Sequence, residues 1–428
     1  MNVSRLEPNA SGIVDWPTLS TSKQSVVTVG VFDGIHRGHQ AVLRRVVELA
    51  HQQDDYAVVI MFDPSPKRVH TYAKAHAGGE LPDDEPTADP DELMPADERI
   101  RLMRQLGVDW VLSVRYTLAF ASKSYRFFLG SLVGKIGMRT LVLGQDASMG
   151  AGRSGDVHAI ETLAEATGVF RLDVVDDSGP GKTWIPTRDI PVPSGAGEPA
   201  DPLEGLSKAQ LRAWTKAHSC KNVRVWSSSN VRSLLAQGRI RAADEILGRA
   251  HAVEGDVVHG EQRGRALGYP TANIGADHRG RMPADGVYAG WLVDLGPEKE
   301  ADAQAGRGGA ADGYRQGDAR TDTQPGAVSA LEARLAPGSP WRWPAAISIG
   351  SKETFAGEGR RYERVLEVNA IAGDDWLELY GHRVRVEFLA YLRPQVKFAD
   401  GGELANRLRQ DAAESLRLTQ EEDGRRRI

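Results

Sequence analysis

The sequence predicts two domains of different class: an α/β domain on a mostly parallel sheet, then an all-β barrel or sandwich finished by a C-terminal helix. Three observations predict this. From Val26 to Val175, short β-branched apolar runs alternate with stretches whose apolar residues fall at helical spacing, and the connections are short. From Ala252 the texture changes to β-rich segments (Ala252–His259, Gly286–Leu295, Ala345–Ile349, Glu363–Ile371, Arg383–Leu392) separated by Gly, Asp and Pro turns. Glu403–Leu418 then returns to helical spacing, with Leu404, Leu408 and Leu416 on one face.

The α/β part opens on Val26–Phe32, an apolar run broken at Asp33-Gly34. His36, Gly38 and His39 follow, then a helix with Val42, Val46 and Leu49 inward. At a helix start, unpaired backbone N–H groups and the positive dipole end favour an anion. Two imidazoles there, with Gly38 letting a ligand near the backbone, make a polyphosphate cradle. A second strand, Tyr56–Phe62, ends in Asp63-Pro64-Ser65-Pro66, whose prolines force an extended exit. Asp63 faces the usual ligand crevice of an open α/β sheet, although a turn-capping Asp fits equally. Residues 73–95 read as a mobile acidic loop. A helix over Ala96–Gly107, a strand over Trp110–Val114, a helix over Ser124–Ile136 and a strand over Thr140–Leu143 follow. Gly144-Gln145-Asp146 then opens a Gly-rich loop whose Arg153 can reach a phosphate. A helix over Val157–Thr167 and a strand over Val169–Val175 complete this part.

Residues 191–222 read as linker, with a short helical piece at its end. Ser227, Ser228 and Ser229 open the next helix, and Arg232 lies one turn on. Such hydroxyls are either a cap or a second phosphate clamp. Helical spacing over Val231–Leu247 ends at Gly248.

Between the first two barrel strands, Gly260, Gly264 and Gly268 permit a loop that closes over phosphates with backbone amides, and Arg265 lies within it. Pro270 stiffens the turn before Thr271 and Asn273. A hydroxyl and an amide carbonyl two residues apart are neutral oxygen ligands suited to Mg²⁺ that also keeps substrate phosphates; a capped hairpin is the bland reading. Phosphorylating an alcohol needs a base for the hydroxyl proton. Glu367, a lone carboxylate in an apolar alternation, is the candidate, although by itself an outward-facing strand Glu is the better reading. Residues 297–340 are poor in apolar residues and read as a disordered insertion.

Composition narrows the class further. The chain has 428 residues, 41% hydrophobic, enough for two or three domains. A net charge of −5 and a pI near 6.2 exclude a global basic field for nucleic acid. Cys220, the one cysteine, excludes an internal disulfide or a cysteine-built metal site and suits a reducing cytoplasm. No apolar run has membrane-spanning length, and the first residues lack a signal-peptide core.

The His-x-Gly-His pattern resembles the signature of the nucleotidyltransferase superfamily. The full string Gly30-Val31-Phe32-Asp33-Gly34-Ile35-His36-Arg37-Gly38-His39-Gln40 resembles the adenylyltransferase half of bacterial bifunctional riboflavin kinase/FAD synthetases. Phe62–Pro66 fits that family's Phe-Asp-Pro-x-Pro string. Val225–Arg232 fits its Ile-Ser-Ser-Thr-x-Ile-Arg string, with Trp226 for Ile and Ser229 for Thr. Gly260–Asn273, Ile347–Phe355 (Glu353 for Pro), Leu379-Tyr380-Gly381 and Leu392–Phe398 resemble the riboflavin kinase half. The family's Gly-x-Asp loop is usually aromatic where this chain has Ala147 and Met149.

The resemblance implies a nucleotidyltransferase (Rossmann-like) domain over 1–240 and a riboflavin-kinase-like barrel over 245–428. It implies an ATP triphosphate held by His36, His39, Ser227, Ser228 and Arg232, with Gly30, Phe32, Asp33, Gly38, Asp63, Asp146, Arg153 and Ser229 in the same site. The FMN phosphate then attacks the α-phosphorus in line, and Mg²⁺ offsets charge on the leaving pyrophosphate. In the barrel it implies Thr271 and Asn273 as metal ligands, Glu367 as base, and Arg393 closing on phosphates or flavin, with a surface ion pair as the other reading of Arg393. The expected partners are ATP, riboflavin and FMN, with no nucleic acid and no membrane, in the cytoplasm. A kinase with a degenerate first domain, a cytidylyltransferase and a non-enzymatic flavin binder are the alternatives.

Overall fold

The structure, a computed structural model, describes residues 1–82, 89, 91–260, 271–297, 325–356, 359–373 and 377–426. They pack as two compact units. The first spans Met1–Asp89 and Pro95–Pro180; the second takes in the described residues of Pro90–Met94, Gly181–Gly308 and Thr323–Ile428. Packing therefore changes hands after Pro180, whereas the sequence draws a functional boundary at 240–245. The physical reason is one apolar cluster: Val231, Leu234, Ile240 and Ile246 are buried together with barrel residues such as Val253, Ile347 and Val386.

The first unit holds a six-stranded sheet from β1 (Asn2–Leu6), β2 (Ser25–Gly30), β3 (Tyr56–Phe62), β4 (Trp110–Val114), β5 (Met138–Gly144) and, after two two-residue strands β6 (Ser148–Met149) and β7 (Gly155–Asp156), β8 (Arg171–Val175). The order is β1-β4-β3-β2-β5-β8, and every pairing is parallel. Parallel strands covered on both faces read as near-continuous apolar runs, as in YAVVIMF of β3. Helices α1 (Arg37–Gln53), α2 (Pro66–Ala75), α3 (Ala96–Gln105), α4 (Leu118–Ala121), α5 (Tyr125–Lys135) and α6 (Val157–Thr167) connect them. Each of α2, α4, α5 and α6 begins at a Ser, Thr or Asp whose side chain accepts a first-turn N–H. The edge strand β1 was not read from the sequence.

The second unit begins with an antiparallel pair, β9 (Lys182–Ile185) and β10 (Lys221–Arg224), and helix α7 (Lys208–Ala217) lies inside the expected linker. The single helix expected over Val231–Leu247 is two, α8 (Ser228–Ala236) and α9 (Ile240–Leu247), because Gly238 turns left-handed between them at φ 73°. The barrel follows: β11 (His251–Val258), β12 (Ala272–Ile274), β13 (Gly286–Pro297), β14 (Arg342–Ala356), β15 (Gly359–Ala370) and β16 (His382–Arg393). It closes in the order β11-β12-β15-β14-β13-β16, antiparallel throughout. Val257, Ile274, Ile347, Leu366, Val384 and Phe388 fill it. Of the acidic loop expected at 73–95, residues 83–88 and 90 lie outside the described residues. Leu93 joins the second unit's core, and Asp91 is held there by Arg281 at 2.7 Å. Of the insertion expected at 297–340, residues 298–324 lie outside the described residues. Helix α10 (Pro325–Leu335) sets Leu331 and Leu335 against Val293 and Leu295, so that part is ordered.

The last helix, α11 (Gly401–Arg426), corrects the leucine face expected of it. Its most buried residues are Asp411, Ser415 and Thr419, one turn apart, while Leu404, Leu408 and Leu416 are only partly buried. The barrel wall beneath presents Arg393 to Asp411, so the helix answers with a polar stripe.

His251 gives the second unit a pH dependence. Burial, together with Arg249, Arg385 and Arg281 around it, pulls its pKa from 6.5 down to about 4, and its Nε2 donates to the Arg281 carbonyl at 2.7 Å. The unfolded chain therefore binds the extra proton between those values. His251's contribution is complete above about pH 6.5 and is lost as pH falls toward 4, by at most about 3 kcal/mol. His278, also lowered by burial, acts in the same direction. Urea unfolding at pH 7.5 and 4.5 should show a smaller pH effect in His251→Gln than in the natural chain; equal effects would exclude His251 as the cause.

Candidate active sites

From β2 the chain runs one way across the sheet, to β3 and β4, and later returns to the other side of β2 with β5 and β8. That reversal is a switch point, and ligands of open α/β sheets bind beyond the carboxyl ends of the strands there. The β2 loop carries His36, Gly38 and His39; the β5 loop carries Gln145 and Asp146.

His36 is the N-cap of α1 and only 2% exposed; its Nδ1 accepts the His39 backbone N–H at 3.3 Å. A neutral ring accepting at Nδ1 carries its proton on Nε2. The His36 and His39 rings stack with centroids 3.7 Å apart, and Phe32 meets His39 edge-on at 5.3 Å. The turn before them is unusual. Phe32, Gly34 and Ile35 all have positive φ, at 53°, 83° and 39°, and a buried β-branched residue there is strained by about 1–3 kcal/mol. Gln40 braces the turn, its Nε2 donating to the Ile35 carbonyl at 2.9 Å. Asp33 is buried within it, and a Cβ at Gly30 would touch the Phe32 ring.

Gly38 serves a different neighbour from the one expected. A Cβ there would lie 2.4 Å from the Asp177 carbonyl oxygen, so the close approach is made by the protein's own chain. Gly38→Ala should lower stability by about 1–3 kcal/mol, read as a lower melting temperature with the barrel's activity retained at permissive temperature. An unchanged melting temperature would contradict the contact. Asp177, missed in the sequence, also crowds Gly144 and accepts the Gln145 N–H at 3.2 Å.

Asp63 follows β3 and is 45% exposed. Arg99, also missed, lies beneath it on α3. Asp146 borders a pocket of about 430 Å³ with Ala147, Ser148, Arg153, Asp156 and His158. Arg153 Nε donates to Ser148 Oγ at 2.7 Å. Ala147 and Met149 pack partly against the apolar core of the unit.

Ser227, Ser228, Ser229 and Arg232 belong to the second unit. Ser227 caps α8: its Oγ accepts the Asn230 N–H at 3.2 Å and donates to the Arg224 carbonyl at 2.8 Å. Arg232 Nε donates to the Asp91 carbonyl at 2.6 Å.

On the barrel, Leu366 and Val368 are buried in the core, so the pleat sets Glu367 on the outer face. The register pairs Glu367 directly with Asn273 of β12 on one side and with Ser348 of β14 on the other. Directly opposed residues have Cβ atoms about 4.5–5.5 Å apart. Thr271 precedes Asn273 by two residues, and Asn273 Nδ2 lies 3.5 Å from the Thr271 carbonyl. Gly260 makes room: a Cβ there would lie 2.2 Å from Asn273 Nδ2. Gln395, unnoticed in the sequence as a site residue, donates from Nε2 to Ser348 Oγ at 2.8 Å and to the Ile349 carbonyl at 3.0 Å. Gly264, Arg265 and Gly268 lie outside the described residues. Arg393 is corrected. Its guanidinium is buried and forked onto Asp411 at 2.6 and 3.1 Å, with Nη1 on the Pro394 carbonyl, which makes it a structural pair with α11. Among the described residues, no three His, Cys, Asp or Glu side chains gather as a metal cluster.

Comparison with known proteins assigns each unit to a family. Residues 18–187 match the FAD synthetase family and residues 247–419 the riboflavin kinase family. The chain is 26% identical over 387 residues to the bifunctional riboflavin kinase/FMN adenylyltransferase of Escherichia coli (strain K12), covering 90% of each. It is 27% identical over 402 residues to that of Pseudomonas fluorescens, covering 92% of each. A crystal structure described as a macrolide-efflux protein from Streptococcus pneumoniae has the same fold, with TM-score 0.62 and 23% identity over 97% of this chain and 99% of that one. With the two families matched on the two units that carry these sites, the chain belongs to the bifunctional riboflavin kinase/FMN adenylyltransferase family.

Proposed function

We propose a division of labour between the units. The chain phosphorylates riboflavin to FMN with ATP and adenylylates FMN to FAD with release of pyrophosphate. The barrel performs the first step and the α/β unit the second. The observation that carries this is the presence, in one chain, of a stacked histidine pair at a sheet switch point and of Asn273 paired in register with Glu367.

In the barrel, Glu367 takes the proton of the riboflavin hydroxyl as that oxygen attacks the γ-phosphorus. Asn273 and Thr271 offer neutral oxygens beside it, and Gly260 keeps the Asn273 side chain clear, so these residues fit Mg²⁺. When bound, the ion offsets charge on the transferring phosphates. In the α/β unit, no protein nucleophile is needed, because the FMN phosphate attacks the α-phosphorus itself. His36, with Nδ1 turned to the His39 amide, has Nε2–H to donate to a phosphate oxygen. The N-terminus of α1 favours the growing negative charge on pyrophosphate. Asp63, Asp146 and Arg153 border the crevice. Ser227, Ser228, Ser229 and Arg232 are assigned to ATP by their resemblance to the family string. The free thiol of Cys220 suits a reducing, cytoplasmic setting.

Labelled ATP tests the assignment. Label at the γ-position should appear in FMN, and label at the α-position in FAD, with pyrophosphate released. Flavin that never acquires the α-label would sink the second step, and CTP replacing ATP in that step would support a cytidylyltransferase.

A further inference from the structure

Among the described residues of the first unit, Arg99 is the most deeply buried cation that no sequence motif singled out. Its side chain on α3 is only 1% exposed, and a guanidinium at that depth has to be paired. On the same helix, the Glu98 carboxylate accepts both arms of Arg101, at 2.6 and 2.8 Å. Arg99 reaches away from the helix. Nη1 donates to the Val31 carbonyl at 2.8 Å, and Nη2 lies 3.6 Å from Asp63 Oδ1. One planar fork therefore spans the loops that leave the adjacent strands β2 and β3. Val31 begins the turn in which Phe32, Gly34 and Ile35 hold positive φ and which delivers His36 to its cap position. Strained turns persist only where their surroundings over-determine them, and a charge-assisted hydrogen bond from a buried guanidinium to the first residue of the turn does this.

We infer that Arg99 is a positioning residue for adenylyl transfer, clamping the histidine-bearing turn and Asp63 in one fixed relation. The inference rests on the reading of the first unit as an FMN adenylyltransferase. Arg99 acts through the Val31 carbonyl and the Asp63 carboxylate and touches no substrate. A lysine keeps the charge but has a compact head that cannot span both partners with a planar fork.

The test uses the full chain with FMN and ATP, and riboflavin phosphorylation as the internal control. R99K should lower kcat for FAD formation about tenfold or more, since a displacement of about 1 Å in a catalytic group is enough for that. KM for ATP and FMN should stay within about threefold, and riboflavin phosphorylation should keep its natural rate. D63N and R99Q combined should be no slower than the slower of the two alone, because both belong to one clamp. A wild-type kcat in R99K, a risen KM at unchanged kcat, or losses that multiply in the double variant would each overturn the inference. So would a lower melting temperature with unchanged kcat per folded molecule, the mark of a merely structural arginine. If the natural chain makes FAD and R99K matches it, only this inference falls. If the natural chain makes none from FMN, the functional reading falls with it.

Discussion

His36→Ala should stop FAD formation while FMN continues to accumulate from riboflavin and ATP. In the proposed role the substitution removes the Nε2–H donor to phosphate, and it removes the ring on which His39 stacks. Losing a preorganised donor to developing charge lowers kcat by about 10²–10³-fold, and the displaced His39 adds to that. The lost cap of α1 costs about 1 kcal/mol, too little to unfold the unit. His36→Asn restores a capping side chain without an imidazole, so it separates the two effects. It should recover the melting temperature and leave FAD synthesis defective. FAD formation at the natural rate in either variant would remove His36 from the chemistry. Loss of riboflavin phosphorylation in step with FAD would show that the damage is to folding.

Glu367→Gln should have the complementary effect. Glutamine matches the shape, and the position lies on the outer face of β15, between Asn273 and Ser348 in the register, so the barrel should fold. The amide cannot take a proton from the ribityl hydroxyl, and a positioned general base contributes about 10²–10⁴-fold. FMN formation should fall by that factor, while FMN supplied directly should still become FAD. Steady-state rates for each substrate measure both. A variant that phosphorylates riboflavin normally would relieve Glu367 of the role.

How much of this was legible depends on where each residue finds its partner. The strand–turn–helix carrying His36 and His39 was readable because its signals are local: an apolar run, Asp33-Gly34, then apolar residues at helical spacing. The barrel strands were readable from alternation, which also sets Glu367 on an outer face, but its role as base comes only from the family resemblance. Arg99 was not, because its partner Val31 lies 68 residues away and a charged residue on an amphipathic helix looks solvated. Asp177 was hidden for the same reason. Its contact with Gly38 is made through a backbone carbonyl, which no side-chain pattern reports. Arg393 stayed open between two readings because a guanidinium awaiting phosphate and one paired with a distant carboxylate look alike in sequence. Only the packing of α11 brings Asp411 beneath it. The polar stripe of that helix followed from the same pairing, so the leucines that periodicity favoured are not its deepest residues. Gly238 was passed over because one glycine inside a helical pattern is often tolerated.

One time course tests both assignments together. The purified chain is incubated with riboflavin, ATP and Mg²⁺, and the flavins are separated by chromatography. FMN should rise first and FAD follow as FMN is consumed, and FMN supplied in place of riboflavin should also yield FAD. FMN without FAD under both conditions would contradict the assignment of the α/β unit. Riboflavin left unchanged would contradict the assignment of both.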